Sequence, residues 1–408
     1  MQVEGVPPTT VTFNTLLRAL CQAGDLTRAG KLKDYMILKG CPPNLATYNT
    51  LIHGFCLKGK LDTARALYDQ MIRDGCTPNE ITYGTIIDGL FKLGRPSDAI
   101  QMISVLGEEK IRPNEYIYST VINGLFRAGD PDGALEVWEM MIRKGIRPNT
   151  VLYTALIDGL CRHGRIDEAE DALSKMTAED CTPNVLTYSS LVFGYFKAGK
   201  SQLAILTWQR MVDSGCKPNE ISYSILINGL CEEGKLKEGL LVWKNMLSKG
   251  CIPDVIAYSS MIKGLCRAGM VDGGTRMFNE MLARKDVEPD VVTYNILFDG
   301  LLRDGKLPKA MDLLSRMLDR VCDPDLVTCN IFLKVLVQEE GKGREFLDGL
   351  VVRLCKRGRM EGAAEILGVM MGKYLVPEVS TWDMVVRGIC SSRKVRNMIE
   401  KCWKEIWR

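Results

Sequence analysis

Apolar residues return along the chain at three- and four-residue spacing, in blocks of about a dozen, each closed by a glycine or followed by a proline. In TYNTLIHGFCLKG the apolar positions follow a helical period and stop on Gly59. LDTARALYDQMIRDG repeats the pattern and stops on Gly75, and the CTPN that follows cannot stay helical through its proline. Neither block makes a helix long enough to persist alone in water, so each predicted helical pair must share a core with its neighbours.

The blocks are periodic. A frame starting at Thr10 gives nine consecutive complete units: 10–44, 45–79, 80–114, 115–149, 150–184, 185–219, 220–254, 255–290 and 291–325. The clearest marker is a glycine fifteen residues into each unit (Gly24, Gly59, Gly94, Gly129, Gly164, Gly199, Gly234, Gly269, Gly305), suited to a left-handed helix end. The second is a proline one residue before each unit ends, from Pro43 and Pro78 through to Pro324. A small residue inside each second block (Ala29, Ala64, Ala99, Ala134, Ala169, Ala204, Gly239, Gly274, Ala310) marks where the paired helix packs closely. The expected fold is all-α, a solenoid of stacked two-helix units of 35 residues.

The array frays after 325. Residues 326–343 open a tenth unit whose second helix is replaced by EEGKG, 344–378 fit a fresh frame, and 379–408 form a partial unit with a basic, polar cap. Residues 1–9 read as the closing linker of an upstream unit, so the chain is expected to be a piece of a longer array.

Composition changes this picture little. With 46% hydrophobic residues the chain is too apolar for disorder, and no run of 18 apolar residues predicts a membrane span. The first residues carry neither a signal core nor an arginine-rich import sequence. A net charge of +3 leaves the partner open, because distribution matters more than the sum. Of the fifteen cysteines, Cys21, Cys56, Cys161, Cys231 and Cys266 share a slot that elsewhere holds Phe91, Phe126, Phe196 or Leu302. Cys41, Cys76, Cys181, Cys216, Cys251 and Cys322 share another, held elsewhere by Ile111, Ile146 and Val287. Slots that alternate Cys with large apolar residues predict buried free thiols rather than disulfides or metal ligands.

Two slots stand apart from the monotonous scaffold. The fifth residue of each unit is small and mostly polar: Asn14, Asn49, Gly84, Ser119, Thr154, Ser189, Ser224, Ser259 and Asn295. The last is always Asn or Asp: Asn44, Asn79, Asn114, Asn149, Asn184, Asn219, Asp254, Asp290 and Asp325. Helix capping is one reading of the last column. Ligand recognition is the other, since an amide donates and accepts whereas a carboxylate only accepts. Near the end of the first helix runs a third column, Lys92, Arg127, Arg162, Lys197, Arg267 and Arg303, interrupted by Gln22, Leu57 and Glu232. These cations suit either phosphate contact or an ordinary solvated helix end.

Strings such as VTFNTLLRALCQAGDLTRAGKLKDYMILKGCPPN and ISYSILINGLCEEGKLKEGLLVWKNMLSKGCIPD resemble the plant-type pentatricopeptide repeat, from about residue 10 to 390. The resemblance implies a right-handed superhelix that binds single-stranded RNA, one base per unit, with the fifth and last residues touching one base edge. It also implies that the second residues wedge between successive bases: Val11, Ala46, Ile81, Tyr116, Val151, Leu186, Ile221, Ile256 and Val292. The family's usual pairings carried onto these positions give the target 5′-C-C-N-A-A-A-G-G-U-3′, undefined at the third base because Gly84 has no side chain. The last units, with Asp348 set against Glu378 and Asp383 without a partner slot, are expected to close the array rather than read a base.

The resemblance further implies RNA-processing protein partners and a plant organelle, the mitochondrion ahead of the chloroplast, without duplex DNA or membrane as a partner. The sequence holds no H-x-E…P-C-x-x-C deaminase set within 326–408, no phosphate-binding loop and no nucleophile elbow, so no enzyme and no cofactor are expected. His53 and His163 lie in separate repeats and are expected at a helix surface and near a loop. The alternative reading is a helical-repeat scaffold for a protein or peptide. Aromatic or strongly charged groove slots would favour it over small residues paired with Asn or Asp.

Overall fold

The computed structural model describes residues 8–108, 113–284, 286–320, 322–336, 342–373 and 375–390, and every element among them is α-helical. Most of the 1–9 linker, much of the EEGKG segment, Ile111 and the C-terminal cap from 391 lie outside the described residues. The chain divides into two units, residues 1–217 and 218–408.

The first unit holds α1 (Thr10–Ala23), α2 (Leu26–Leu38), α3 (Leu45–Leu57), α4 (Leu61–Arg73), α5 (Glu80–Lys92), α6 (Pro96–Glu108), α7 (Glu115–Ala128), α8 (Pro131–Arg143), α9 (Thr150–Arg162), α10 (Ile166–Ala178), α11 (Val185–Lys197) and α12 (Ser201–Asp213). Each odd helix packs against the even helix that follows it and against the odd helix of the next repeat, so α1, α3, α5, α7, α9 and α11 form one layer. The second unit repeats this with α13 (Glu220–Glu232), α14 (Leu236–Ser248), α15 (Val255–Arg267), α16 (Val271–Ala283), α17 (Val291–Arg303) and α18 (Leu307–Asp319). It closes with α19 (Leu326–Leu336), α20 (Lys342–Lys356), α21 (Met360–Gly372) and α22 (Val379–Cys390).

The glycine ending each first helix works as expected. Gly129 caps α7 at φ 81°, donating its backbone N–H to the carbonyls of Leu125 and Phe126. The small residue of each second helix is buried, with Ala29, Ala99, Ala134, Ala169, Ala204 and Ala310 all fully enclosed. A second recurrent left-handed turn follows the second helix, at Gly40, Gly75, Gly145, Gly215 and Gly250. Asp180 takes the same turn at φ 55°.

The two cysteine columns behave differently. Those in the first slot pack onto a glycine of the next repeat: a Cβ on Gly54 would lie 2.6 Å from the Cys21 sulfur, and one on Gly300 2.6 Å from that of Cys266. Phe91 and Phe126 do the same to Gly124 and Gly159. Burial pushes the Cys161 thiol up to about 12 and that of Cys56 to about 11, so neither ionises near neutrality. The second slot departs from the expected buried column. Cys41, Cys76, Cys181 and Cys216 are half-buried, and their thiols donate to the carbonyls of Pro8, Pro43, Pro148 and Pro183 at 3.4, 3.9, 3.6 and 3.7 Å. A thiol serves there because the site sits at a repeat junction with a carbonyl to meet.

The glycine contact gives a stability prediction. In Gly159→Ala the new methyl would sit 2.2 Å from the Phe126 ring, and overpacking of this kind costs about 1–3 kcal/mol. A lowered denaturant midpoint is expected, whereas an unchanged midpoint would mean that the ring swings aside freely.

Candidate nucleic-acid interface

The last-slot residues sit at the starts of the first helices, where the opening backbone N–H groups have no intrahelical partner. Each supplies one. The side chains of Asn44, Asn79, Asn114, Asn149 and Asn184 in the first unit accept from the N–H three residues on, as do those of Asn219, Asp254 and Asp290 in the second. Asp325 does likewise for Thr328, at 2.8 Å. The bonded atom is Oδ1 throughout, and an N–H donor requires an oxygen. Capping therefore fixes which way these side chains face: Asn keeps its amide NH2 and Asp its Oδ2 outside the cap.

Fifth-slot residues lie one turn into the same helices. Asn14 Nδ2 donates to Asn44 Oδ1 at 3.3 Å, Ser224 Oγ to Asp254 Oδ1 at 2.8 Å, and Asn295 Nδ2 to Asp325 Oδ1 at 3.1 Å. Three of the sequence-derived pairs are thus in direct contact. Burial works to raise the Asp325 carboxyl, but the Thr328 backbone and the Asn295 amide outweigh it and hold the group below the ordinary carboxylate value. Fifth-slot residues also meet neighbours other than the last slot. Thr154 and Ser189 donate to the carbonyls of Thr150 and Val185 at 2.7 and 2.6 Å, and Ser224 shares its proton with Glu220 O at 2.8 Å. Ser259 donates to Ile256 O at 3.0 Å, Ser119 accepts from Asn123 at 3.4 Å, and Asn49 Oδ1 is buried without a partner. Thr154, Ser189, Ser224 and Asn295 are buried rather than open to solvent, more enclosed than an accessible reading column suggests.

The third-slot threonines explain part of this enclosure and were missed in the sequence. Thr47 and Thr328 donate to Asn14 Oδ1 and Asn295 Oδ1, each at 2.7 Å, and Thr187 meets Thr154 at 2.8 Å. Each thus braces the fifth residue of the preceding repeat. The recurrent Thr one residue ahead of the buried aromatic (TY in four repeats, TF in the first) was the signal that could have found them.

Beside these slots the second-slot side chains stand out from the helices. Val11, Ile81, Tyr116, Val151, Leu186, Ile221, Ile256 and Val292 are all between half and three-quarters exposed, and Ala46 is exposed too. The slot thus leaves an apolar side chain in contact with water in all nine repeats.

The basic column is not free. Lys92 and Arg127 both hold Asp88 at 2.7 Å, Arg162 holds Asp158 at 2.7 Å, and Arg303 holds Asp299 at 2.9 Å. Lys197 Nζ donates to the Arg162 carbonyl. At Glu232 the order reverses, the acid in the column pairing with Lys263 and, at 2.7 Å, with Arg267. Burial acts to raise Asp88, yet the bonds from Arg127 and Lys92 prevail and hold it below its ordinary value. The hydrogen bond from Lys263, seconded by Arg267, likewise holds Glu232 low. The i,i+4 spacing of Asp88 to Lys92, Asp158 to Arg162 and Asp299 to Arg303 made three of these pairs readable in the sequence.

The acids of the closing repeat share an arginine. Asp348 and Glu378 do not stand bare: Arg344 lies 3.7 Å from each, and the Glu378 N–H donates to Asp348 Oδ1 at 3.1 Å. The pair is a closed, partly neutralised contact. His53 is exposed on α3, and His163 follows α9 with Nδ1 2.8 Å from Gly159 O, beside the Phe126 ring. Among the described residues no group of three or more His, Cys, Asp or Glu is placed to hold a metal, and no helix is long and apolar enough to cross a membrane.

The model of the PPR repeat family matches nine overlapping stretches: 8–57, 43–92, 82–127, 113–162, 148–194, 190–232, 221–267, 253–303 and 289–338. A pentatricopeptide repeat-containing protein of Arabidopsis thaliana is 54% identical over 99 residues, a match covering 24% of this chain and 15% of that one. The crystal structure of PPR10 from maize aligns at 23% identity with a TM-score of 0.47, covering 98% of this chain and 64% of that chain. PPR10 in complex with an 18-nt psaJ RNA element aligns at 22% identity and a TM-score of 0.51, covering 94% and 58%. The last likeness shows a shared fold. The chain spans less than two thirds of each of these relatives.

Proposed function

The chain belongs to the PPR repeat family, and from that premise we propose that it binds single-stranded RNA, one base per repeat, and acts by occupying its site rather than by catalysis. The observation that carries this reading is the cap-locked Asn/Asp column, set beside small fifth-slot residues and an exposed aliphatic column.

The cap supplies a physical basis for base choice. An Asn whose oxygen is engaged by the helix offers its NH2 outward, a donor that fits the unprotonated ring nitrogen of adenine (N1) or cytosine (N3). An Asp in the same slot offers an acceptor, which fits the ring N–H of guanine or uracil. The fifth slot then separates base sizes: Ser or Thr leaves room for a purine, and the longer Asn of Asn14, Asn49 and Asn295 leaves room for a pyrimidine. Thr154 and Ser189, their protons given to backbone carbonyls, present lone pairs that suit the adenine amino group. Applied along the nine pairs, these rules give 5′-C-C-N-A-A-A-G-G-U-3′. The second-slot aliphatics would sandwich the bases between them.

In this reading phosphate binding competes with the internal carboxylates, since Lys92 and Arg127 already share Asp88. Asp88→Asn is therefore expected to tighten RNA binding at low salt and to steepen the salt dependence by about 0.7 for each further phosphate neutralised. An unchanged slope in a salt titration would remove this pair of cations from the interface. Organellar RNA processing, in mitochondrion or chloroplast, is the setting that fits the family and its Arabidopsis thaliana relative.

The test is binding of the purified chain to labelled CCUAAAGGU, beside a scrambled RNA and the same sequence as duplex. Preference for the ordered single strand is the expected result. Equal binding to every RNA would reduce the reading to phosphate attraction, and absence of binding at low salt would favour a protein scaffold.

A further inference from the structure

The third repeat lacks a fifth-slot side chain, yet the space is not empty. The Tyr116 ring of the following repeat lies across Gly84: a Cβ there would sit 2.4 Å from Tyr116 Cε1 and 3.2 Å from Cζ. Gly84 is buried, whereas Tyr116 is 51% exposed. Tyr116 is also the one aromatic residue in a second-slot column otherwise made of Val, Ile, Leu and Ala. Ring and glycine together line an open depression of about 730 Å³, whose wall includes His53, Thr85, Asn123 and Arg127. The depression is wider than a flat base requires.

We propose that the third repeat selects its base chiefly by stacking on Tyr116 and favours a purine, with the cap-held Asn114 as its one polar reader, in place of the two-residue reading used by its neighbours. This inference rests on the RNA reading above and fills the position which that reading leaves undefined. A polar pair separates bases by donor and acceptor pattern, whereas an aromatic face separates them by overlap area, and every base has a π-face. The larger purines gain most, and the Asn114 NH2, its oxygen held by the Ile117 N–H, adds a preference for adenine over guanine and for cytosine over uracil. The arrangement depends on glycine, because any side chain at position 84 would push the ring off its seat.

The experiment measures affinity of the full chain for five RNAs, CCNAAAGGU with N as A, G, C, U or an abasic site, and for a fully scrambled RNA. The A form is expected to bind best; A should exceed C, and G should exceed U, by about threefold or more, with the abasic form about tenfold or more weaker than A. Tyr116→Val, which installs the residue found at positions 11, 151 and 292, is expected to erase the A-over-C and G-over-U differences. 2-Aminopurine at the third position should be quenched in the complex and regain its emission with Tyr116→Val. A wild-type series flat across all five RNAs, with the scrambled RNA still rejected, would overturn the stacking inference and leave the RNA reading standing. A purine preference that survives Tyr116→Val would overturn it too. Equal binding of the scrambled RNA would instead overturn the base-reading scheme and this inference with it.

Discussion

Truncating Phe332 to alanine is expected to lower the stability of the second unit by about 3–5 kcal/mol. Among the described residues the tenth repeat shows one helix, α19, before α20, so its junction with α20 has no second helix of that repeat. Aromatic rings fill that place. Phe332 is fully buried, with its centroid 5.1 Å from Phe298 on one side and 4.9 Å from Phe346 on the other. Removing the middle ring opens a cavity between two rigid neighbours and also deletes two ring contacts. Because repeats couple mainly to their neighbours, the loss should appear as a separate early transition for the closing helices in a denaturant melt. A single transition displaced by under about 1 kcal/mol would show that α19 and α20 collapse to fill the gap.

The second large effect concerns specificity. Changing Ser119, Thr154 and Ser189 together to Asn is expected to move the preference at the fourth to sixth bases from adenine to cytosine. The loss on CCUAAAGGU should be about 1–3 kcal/mol per mismatched base, with recovery on CCUCCCGGU. The physical reason is length: a serine or threonine hydroxyl leaves space for a two-ring base, and an asparagine amide occupies it. Thr154 and Ser189 are buried beneath their own helix turns, so the longer side chain must emerge toward the ligand. Competition between the two RNAs measures the exchange. Loss on the first without recovery on the second would show that the substitutions damage the surface instead of rewriting it.

Much of the fold could be read from the sequence because punctuation and period coincide. Gly129 ends a helix where only a left-handed residue fits, and the prolines stop what the glycines do not. The columns of the candidate interface were legible for the same reason, since nine registers expose a slot that one copy would hide. Pairwise geometry was hidden. Nothing in the local sequence says that Cys21 fills the hollow over Gly54, or that Phe126 fills the one over Gly159, because the partners lie in adjacent repeats. The choice between a buried and a half-buried cysteine column likewise turns on a proline carbonyl 33 residues away. The cations looked like an open row because charge was counted by column. Asp88, sitting between Lys92 and Arg127, takes part in two repeats at once.

The bonded Oδ1 of the last-slot residues bears on how such an array can change. Replacing an N-cap Asn or Asp by alanine costs about 0.5–2 kcal/mol, so most substitutions there weaken the helix before any ligand is considered. Serine and threonine would satisfy the same N–H, but they carry no second polar terminus to face outward. Only asparagine and aspartate do both, and they are nearly identical in shape. In the proposed reading the column is therefore a two-letter alphabet, flipped by a single exchange of NH2 for O that folding scarcely registers. Asp254 and Asn219, at the two ends of α13 and α14, are the two states of that switch in one chain.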